Sequence, residues 1–417
     1  MKFHWETEFK ETEIGEIPRD WEVRELRTLV IDIIKGRTPR KIYGNVPYLS
    51  AKYLRGEEEP EGYYEENAGI LADKSDIIIL WDGSNAGEIF KGEKGLLAST
   101  MCKFVFEKNI EKNFLYFGLK LNEDKLKDAK SGTDDRHVDK DYLLAISIPY
   151  PPLPEQNRIA TVLSYFDDLI ENKKRQNEIL EKTAMAIFKN WFIDFEPFKD
   201  GEFVDSELGK IPKGWEVKRL GEITIGFKGV SYNSPDTCSE PQGDIFITLN
   251  NFIRGGGFKT EYIYYIGNRA KEQHKVKEGD LIIALTDITY EAKVVGAPAF
   301  VFLPEEYDFG IISLDCMKLQ PNYEYLKLYL YLHLKQTQEE NSTFANGVNV
   351  LHLNVRLFMQ NKIIVLPPPP ILQKFHSLVE PLFQKIIFNQ KQIMLLRKIR
   401  DKLLPLLVFG KLRVEEV

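Results

Sequence analysis

Thr12 to Leu26 reads TEIGEIPRDWEVREL, and Ser206 to Leu220 reads SELGKIPKGWEVKRL. Glu13, Gly15, Ile17, Pro18, Trp21, Glu22, Val23 and Leu26 recur as Glu207, Gly209, Ile211, Pro212, Trp215, Glu216, Val217 and Leu220. Matches this dense mark a duplication, and a duplication constrains the fold more than any single residue does. Strand-like segments follow each copy, then a proline-rich turn (Tyr150-Pro151-Pro152-Leu153-Pro154, and Pro367 to Pro370), then a long helix-forming stretch. The order is module, rod, module, rod. Solenoid repeats run to about 20–50 residues, so this longer period describes two whole domains, each followed by a helix.

Composition agrees with two cores. The chain has 417 residues, 43% of them hydrophobic, and ordinary domains occupy about 100–200 residues. Its 19 Tyr and 26 Phe argue against disorder, because disordered chains lack the side chains that offset the entropy of ordering. No apolar run reaches the ~18 residues of a membrane span, and Met1 to Lys10 is charged where a signal peptide is apolar. The expectation is a soluble, cytoplasmic protein. Cys102, Cys238 and Cys316 lack paired spacing, so neither a disulfide framework nor a metal site is expected. The net charge of −7 means that any contact with nucleic acid must rest on local basic patches.

Within the modules, Trp21 to Lys35 reads as a strand entering a turn at Gly36-Arg37-Thr38-Pro39. Asp76 to Trp81 (DIIILW) and Asp280 to Leu285 (DLIIAL) read as matching buried strands. Helical pieces are expected at Asn113 to Asp128 and Tyr323 to Thr337, which makes each module mixed α and β. Pro149 and the prolines after it are expected to end strand pairing, and from Glu155 the apolar period changes from two to about 3.5. Ile159, Val162, Phe166, Leu169, Leu180 and Ile187 then fall on one seam, and Val379, Leu382, Ile386, Ile393, Leu396 and Leu403 on another. Rods of roughly 34 residues, about 50 Å at 1.5 Å per residue, are expected to bury these seams against each other as an antiparallel coiled coil. Asn172 and Asn389 are the expected polar register markers, and Pro405 the expected end of the second rod.

Catalytic signatures are missing. Gly255-Gly256-Gly257 lacks the Lys-Ser/Thr of a phosphate loop, and no GxGxxG opens a helix, so no cofactor is expected. Tyr150-Pro151-Pro152 has the wrong order for the Asn-Pro-Pro-Tyr motif of amino-methyltransferases. His137 and His352 stand at matching places before the proline turns, without the neighbours a metal needs. Clusters such as Glu57-Glu58-Glu59 and Asp134-Asp135 read as solvated charge.

The chain resembles the DNA specificity subunits of type I restriction-modification systems. The resemblance is carried by the twice-used Ile-Pro-x-x-Trp-Glu-Val (Ile17 to Val23, Ile211 to Val217), by Gly36-Arg37-Thr38-Pro39, and by Pro47-Tyr48-Leu49-Ser50-Ala51-Lys52. Ser131-Gly132-Thr133, Pro151 to Ile159 and Phe188 to Phe195 add to it. The second half departs at Leu366 to Gln373, which lacks the Glu-Gln pair, and at Gly347-Val348-Asn349. The resemblance implies an α+β chain in pseudo-twofold arrangement: target recognition domain 1 at 1–150, spacer helix 1 at 151–197, target recognition domain 2 at 198–368, and spacer helix 2 with a tail at 369–417. It implies a non-catalytic subunit that reads a bipartite site on double-stranded DNA. The coiled coil would set the spacer and dock two modification subunits, with two restriction subunits completing the complex. S-adenosylmethionine and ATP would belong to those partners. A protein-interaction scaffold with two spaced binding modules is the alternative.

Candidate DNA contacts in the first module are Lys35, Arg37, Thr38, Arg40, Lys41, Tyr43, Lys52 and Arg55, then Trp81, Ser84 and Asn85, then Thr133, Arg136 and His137. Arg and Asn make paired hydrogen bonds to guanine and adenine, whereas Lys more often supplies charge to a phosphate. In the second module the candidates are Lys228, Tyr232, Asn233, Thr248, Asn250, Asn251, Arg254, Thr286, Thr289, Tyr290, Lys293, Asn349 and His352. The two sets differ chemically, so unlike half-sites are expected.

Overall fold

The computed structural model describes residues 2–40, 43–128, 137–288 and 291–415, and the backbone of 130 and 131. It divides into two compact units: unit 1 is Met1–Leu169 with Leu396–Val417, and unit 2 is Ile170–Leu395. Two helices of 40 residues, Leu153–Phe192 and Pro369–Val408, contribute to both. At 1.5 Å per residue each is about 60 Å long.

The mixed module of unit 1 is built on an antiparallel sheet in the order Ile89–Lys91, Ile77–Leu80, Met101–Phe106, Val30–Lys35. The expected strand Asp76 to Trp81 is present as Ile77–Leu80, whose four side chains are all buried. An unbroken apolar run suits an inner strand covered on both faces. The expected strand Trp21 to Lys35 is instead two strands, Glu22–Glu25 and Val30–Lys35, separated by a 3-10 turn at Leu26–Thr28. That turn buries Leu26 and Leu29 completely, which an extended chain could not do with both on one face of a single strand. A second sheet contains Tyr43–Leu49 and Gly95–Leu97 in parallel pairing. Helices Lys112–Leu121 and Glu123–Asp128 cover the expected helical piece.

Unit 2 repeats the plan. Its antiparallel sheet runs Thr224–Lys228, Cys316–Pro321, Leu281–Ala284, Pro298–Phe300. A second sheet again holds one parallel pair, Asp244–Ile247 with Gly310–Ile312, and Leu326–Gln336 is the helix expected near Tyr323 to Thr337. Each module is closed by pairing the strand of its repeated segment with the strand before the proline turn. Glu22–Glu25 pairs with Ser147–Tyr150, and Glu216–Arg219 with Ile363–Leu366. Pro149 therefore sits inside a strand, opposite Val23. A two-stranded ribbon has free edges where a missing N–H costs nothing.

In both units the rods pack antiparallel. In unit 1, Arg400 Nη1 lies 2.7 Å from Asp167 Oδ1. In unit 2, the rings of Phe188 and Phe375 stand 6.3 Å apart. Asn389 is wholly buried, and its Nδ2 donates to Asn177 Oδ1 at 2.9 Å and Gln176 Oε1 at 3.3 Å. Asn389 is thus a polar layer as expected, but Asn172 is exposed and accepts from Gln176 Nε2 on its own helix at 3.2 Å. Antiparallel packing sets a residue against its positional opposite rather than against its repeat equivalent. Ile159, Val379, Ile386 and Ile393 are buried as expected, whereas Val162, Phe166, Leu169, Leu180, Ile187, Leu382, Leu396 and Leu403 are half-buried. Leu163, Ile170, Ala184 and Phe188 take the deeper places, because the modules cover one side of the seam as well.

Pro405 does not end the second rod, which continues to Val408, and Pro381 also lies within it. A proline inside a helix costs about 3 kcal/mol. Complete burial of Leu407 and near-complete burial of Val408 against the unit 1 core, beyond Pro405, offset that cost.

Candidate nucleic-acid interface

Lys35 ends the first strand of the unit 1 sheet, opposite Cys102; Lys228 ends the first strand of the unit 2 sheet, opposite Met317. A glycine follows each. A Cβ on Gly36 would stand 2.1 Å from the Ala98 carbonyl oxygen, and one on Gly229 2.2 Å from those of Ile312 and Ser313. Only glycine lets the chain leave the sheet at that point. The Gly36 N–H donates to Met101 O and the Gly229 N–H to Cys316 O, which are equivalent residues.

Further contacts repeat in register. The Trp81 N–H donates to Thr100 O and the Leu285 N–H to Asp315 O. Trp81 O accepts from Val138, and Leu285 O from Leu353. Asp82 then bridges to His137, and Thr286 pairs with His352. Two tips of the same construction result, each gathered from a strand exit, a mid-sheet loop and a histidine strand.

In the first tip Asp82 is central: its Oδ2 lies 2.7 Å from Lys35 Nζ and its Oδ1 3.4 Å from His137 Nδ1. Arg37, Thr38, Arg40, Ser84 and Asn85 are exposed, as is Tyr43 at 88%. Trp81 is half-buried on the core. Beneath Lys35, burial pushes the Cys102 thiol up to about 12, so it stays protonated. Lys52 lies 3.0 Å from Glu58. Arg55 is held by the Glu88 carboxylate, with its Nε 3.0 Å from both oxygens, which assigns it to packing within the module. Lys41, Thr133 and Arg136 lie outside the described residues.

In the second tip Lys228, Asn233, Asn250, Asn349 and His352 are exposed. The Thr286 hydroxyl donates to Asp315 Oδ1 at 3.0 Å and is buried. Tyr232 packs edge-on against Phe246, and burial first, then the Asp315 carboxylate, holds its phenol above the ordinary value. Thr248 and Asn251 are buried scaffolding. Asn251 Oδ1 accepts from the Thr248 N–H, and its Nδ2 donates to the carbonyls of Lys259 and Glu261, leaving nothing for a base. Arg254 and Lys293 both approach Glu291, at 2.8 and 3.4 Å. Thr289 and Tyr290 lie outside the described residues.

Sequence reasoning found Lys35, Lys228, His137 and His352 but passed over Asp82, Thr100 and Asp315. Acid residues count against DNA binding in composition, and only strand register brings these three to the tips.

Among the described residues no group of side chains has the makings of a metal site, and no helix is long and apolar enough to cross a membrane. What the fold defines is a duplicated, rod-bearing protein with a loop-built polar tip on each module. A sequence signature described as the Type I restriction modification DNA specificity domain matches residues 18–182. The chain is 38% identical to the type I restriction enzyme MjaIX specificity subunit of Methanocaldococcus jannaschii, over 100% of this chain and 99% of that one. It is 30% identical to the MjaVIII specificity subunit of the same organism, with the same coverage. It shares its fold with the crystal structure of a type I restriction-modification S subunit from M. genitalium, at a TM-score of 0.52 and 18% identity over 95% of this chain and 97% of that one. The chain belongs to the specificity subunits of type I restriction enzymes.

Proposed function

We propose that this chain is the non-catalytic, sequence-specific DNA-binding subunit of a type I restriction-modification complex in the cytoplasm. Residues 1–150 and 198–368 are its two target recognition domains, and each reads half of a bipartite site. The reading rests on one observation above all: two tips share backbone construction to the residue while presenting different side chains. Lys35, Arg37, Thr38, Arg40, Ser84, Asn85 and His137 serve the first half-site, and Lys228, Asn233, Asn250, Asn349 and His352 the second. Lysines at the strand exits suit phosphates; the Asn and Arg side chains suit base edges. The rods set the gap between half-sites, and one chain docks two modification and two restriction subunits.

Exchanging residues 198–368 for those of a relative, then selecting from random-sequence duplexes with the modification subunits present, tests the assignment. One half-site should change while the other half and the gap stay fixed. Change in both halves overturns it, and selection of no motif at all favours a protein-interaction scaffold.

A further inference from the structure

The tips share more than lysine and histidine. Strand register equates Asp82 with Thr286, because both stand two residues beyond the inner strand and both pair with the histidine strand. It equates Thr100 with Asp315, whose carbonyls accept from Trp81 and Leu285. Each tip therefore carries one lysine, one histidine, one threonine and one aspartate at four matching backbone places, with acid and hydroxyl exchanged between two of them. In unit 2 these two places are in direct contact through the Thr286–Asp315 hydrogen bond.

An acid is a strange thing to keep at the centre of a surface that approaches DNA. Against a phosphate it costs energy, which the Lys35 ammonium 2.7 Å away reduces. The groups on duplex DNA that welcome a carboxylate are the exocyclic amino groups on the major-groove edge, cytosine N4 and adenine N6. Guanine O6 and thymine O4, at the same edge, repel it.

We infer that Asp82 and Asp315 are specificity-determining residues, each accepting a hydrogen bond from a base amino group and so selecting adenine or cytosine over guanine or thymine at one position of its half-site. Lys35 flanks the Asp82 carboxylate and carries the neighbouring phosphate; Thr286 orients that of Asp315. This rests on the DNA-reading function proposed above and names the chemistry of its site. The exchange has a geometric consequence as well. Moving the acid from one strand to its neighbour shifts it by about 4.8 Å, more than the 3.4 Å rise of a base-pair step. The amino-reading position therefore stands at a different offset in the two half-sites, although the scaffolds match.

The test uses the full chain assembled with its modification subunits and a random-sequence duplex library. The wild type should show one amino-bearing position in each half-site. Asp82→Ala, which removes the acceptor, should lose discrimination of about 5- to 150-fold at the first position and leave the second half-site intact; Asp315→Ala should do the reverse. A second arm changes the DNA as well as the protein. Removing the amino group from the selected base, with purine for adenine or 2-pyrimidinone for cytosine, should weaken the wild type by a similar factor and leave Asp82→Ala where it was. Variants that bind more weakly on all sequences with base preference unchanged overturn the inference while sparing the DNA-reading function. A wild type that selects no bipartite motif overturns both.

Discussion

The repeated tryptophan is held in two opposite ways. In unit 1, Trp21 is fully buried, donates from Nε1 to Glu155 Oε2 at 3.1 Å, and lies 5.6 Å beneath the Arg413 guanidinium. Arg413 ties together Glu6, Asp20 and Glu155, and Glu155 is 3% exposed. In unit 2 the equivalent Trp215 stands among rings: Phe192 at 5.9 Å, Phe195 at 5.5 Å and Phe198 at 5.0 Å. Phe192 in turn packs on Phe375 and Tyr329. The same backbone junction is thus secured by charge in one unit and by aromatic surface in the other. What the duplication preserved was the position of the tryptophan; the means of holding it was free to drift.

That contrast makes the two units separable by perturbation. The largest effect should come from Phe375→Ala, which empties the centre of the unit 2 ring cluster. A loss of about 4 kcal/mol is expected, with little dependence on salt, in denaturant unfolding followed by hydrogen exchange in each unit. A loss spread equally over both units would break the contrast.

Arg413→Ala should cost unit 1 about 3 kcal/mol, because it leaves the buried Glu155 carboxylate without its cation. Acid sharpens the same point. The Glu8 N–H first, and then Arg413, hold the Glu6 carboxyl down at about 2 from an ordinary 4.5. Its contribution is therefore fully present above pH 4.5 and is lost as pH falls from there to about 2. Unit 1 should loosen before unit 2 across that window, and an acid titration of exchange rates that finds unit 2 leading would refute the charge-held assignment.

Smaller and symmetric is the effect expected of Gly36→Ala and Gly229→Ala. Each should cost about 2 kcal/mol by forcing a methyl group into backbone carbonyls. Circular dichroism melts of the two variants should agree, since crowding at the two exits is nearly identical. A tolerant exit in one module would show that the tips are less alike than their register implies.

The architecture was legible because its signals are local or repeated. Ile77–Leu80 is an unbroken apolar run, the rods change period after Pro152, and the duplicated Trp-Glu-Val fixes where each module begins. Lys35 and Lys228 were found because each opens the loop after a strand. Asp82, Thr100 and Asp315 were not, since their meeting depends on cross-strand register that no neighbouring residue encodes. Asn177 was missed for a related reason: repeat alignment names equivalents, whereas antiparallel helices pair opposites. Pro405 read as a break, and tertiary burial of the helix beyond it overrides that local rule.

Unit 2 is one continuous stretch, Ile170–Leu395, but unit 1 is not. Its strand Lys2–Trp5 pairs with Leu412–Glu415, and Arg413 closes the network around Trp21. On the ribosome the strand Lys2–Trp5 must therefore wait, with an edge unpaired and Glu155 uncompensated, until Leu412–Glu415 emerges, while unit 2 can already be folded. Translation that stops short of Leu396 would leave a complete second unit and an incomplete first one, its strand Lys2–Trp5 without a partner and its Trp21 without the Arg413 clasp.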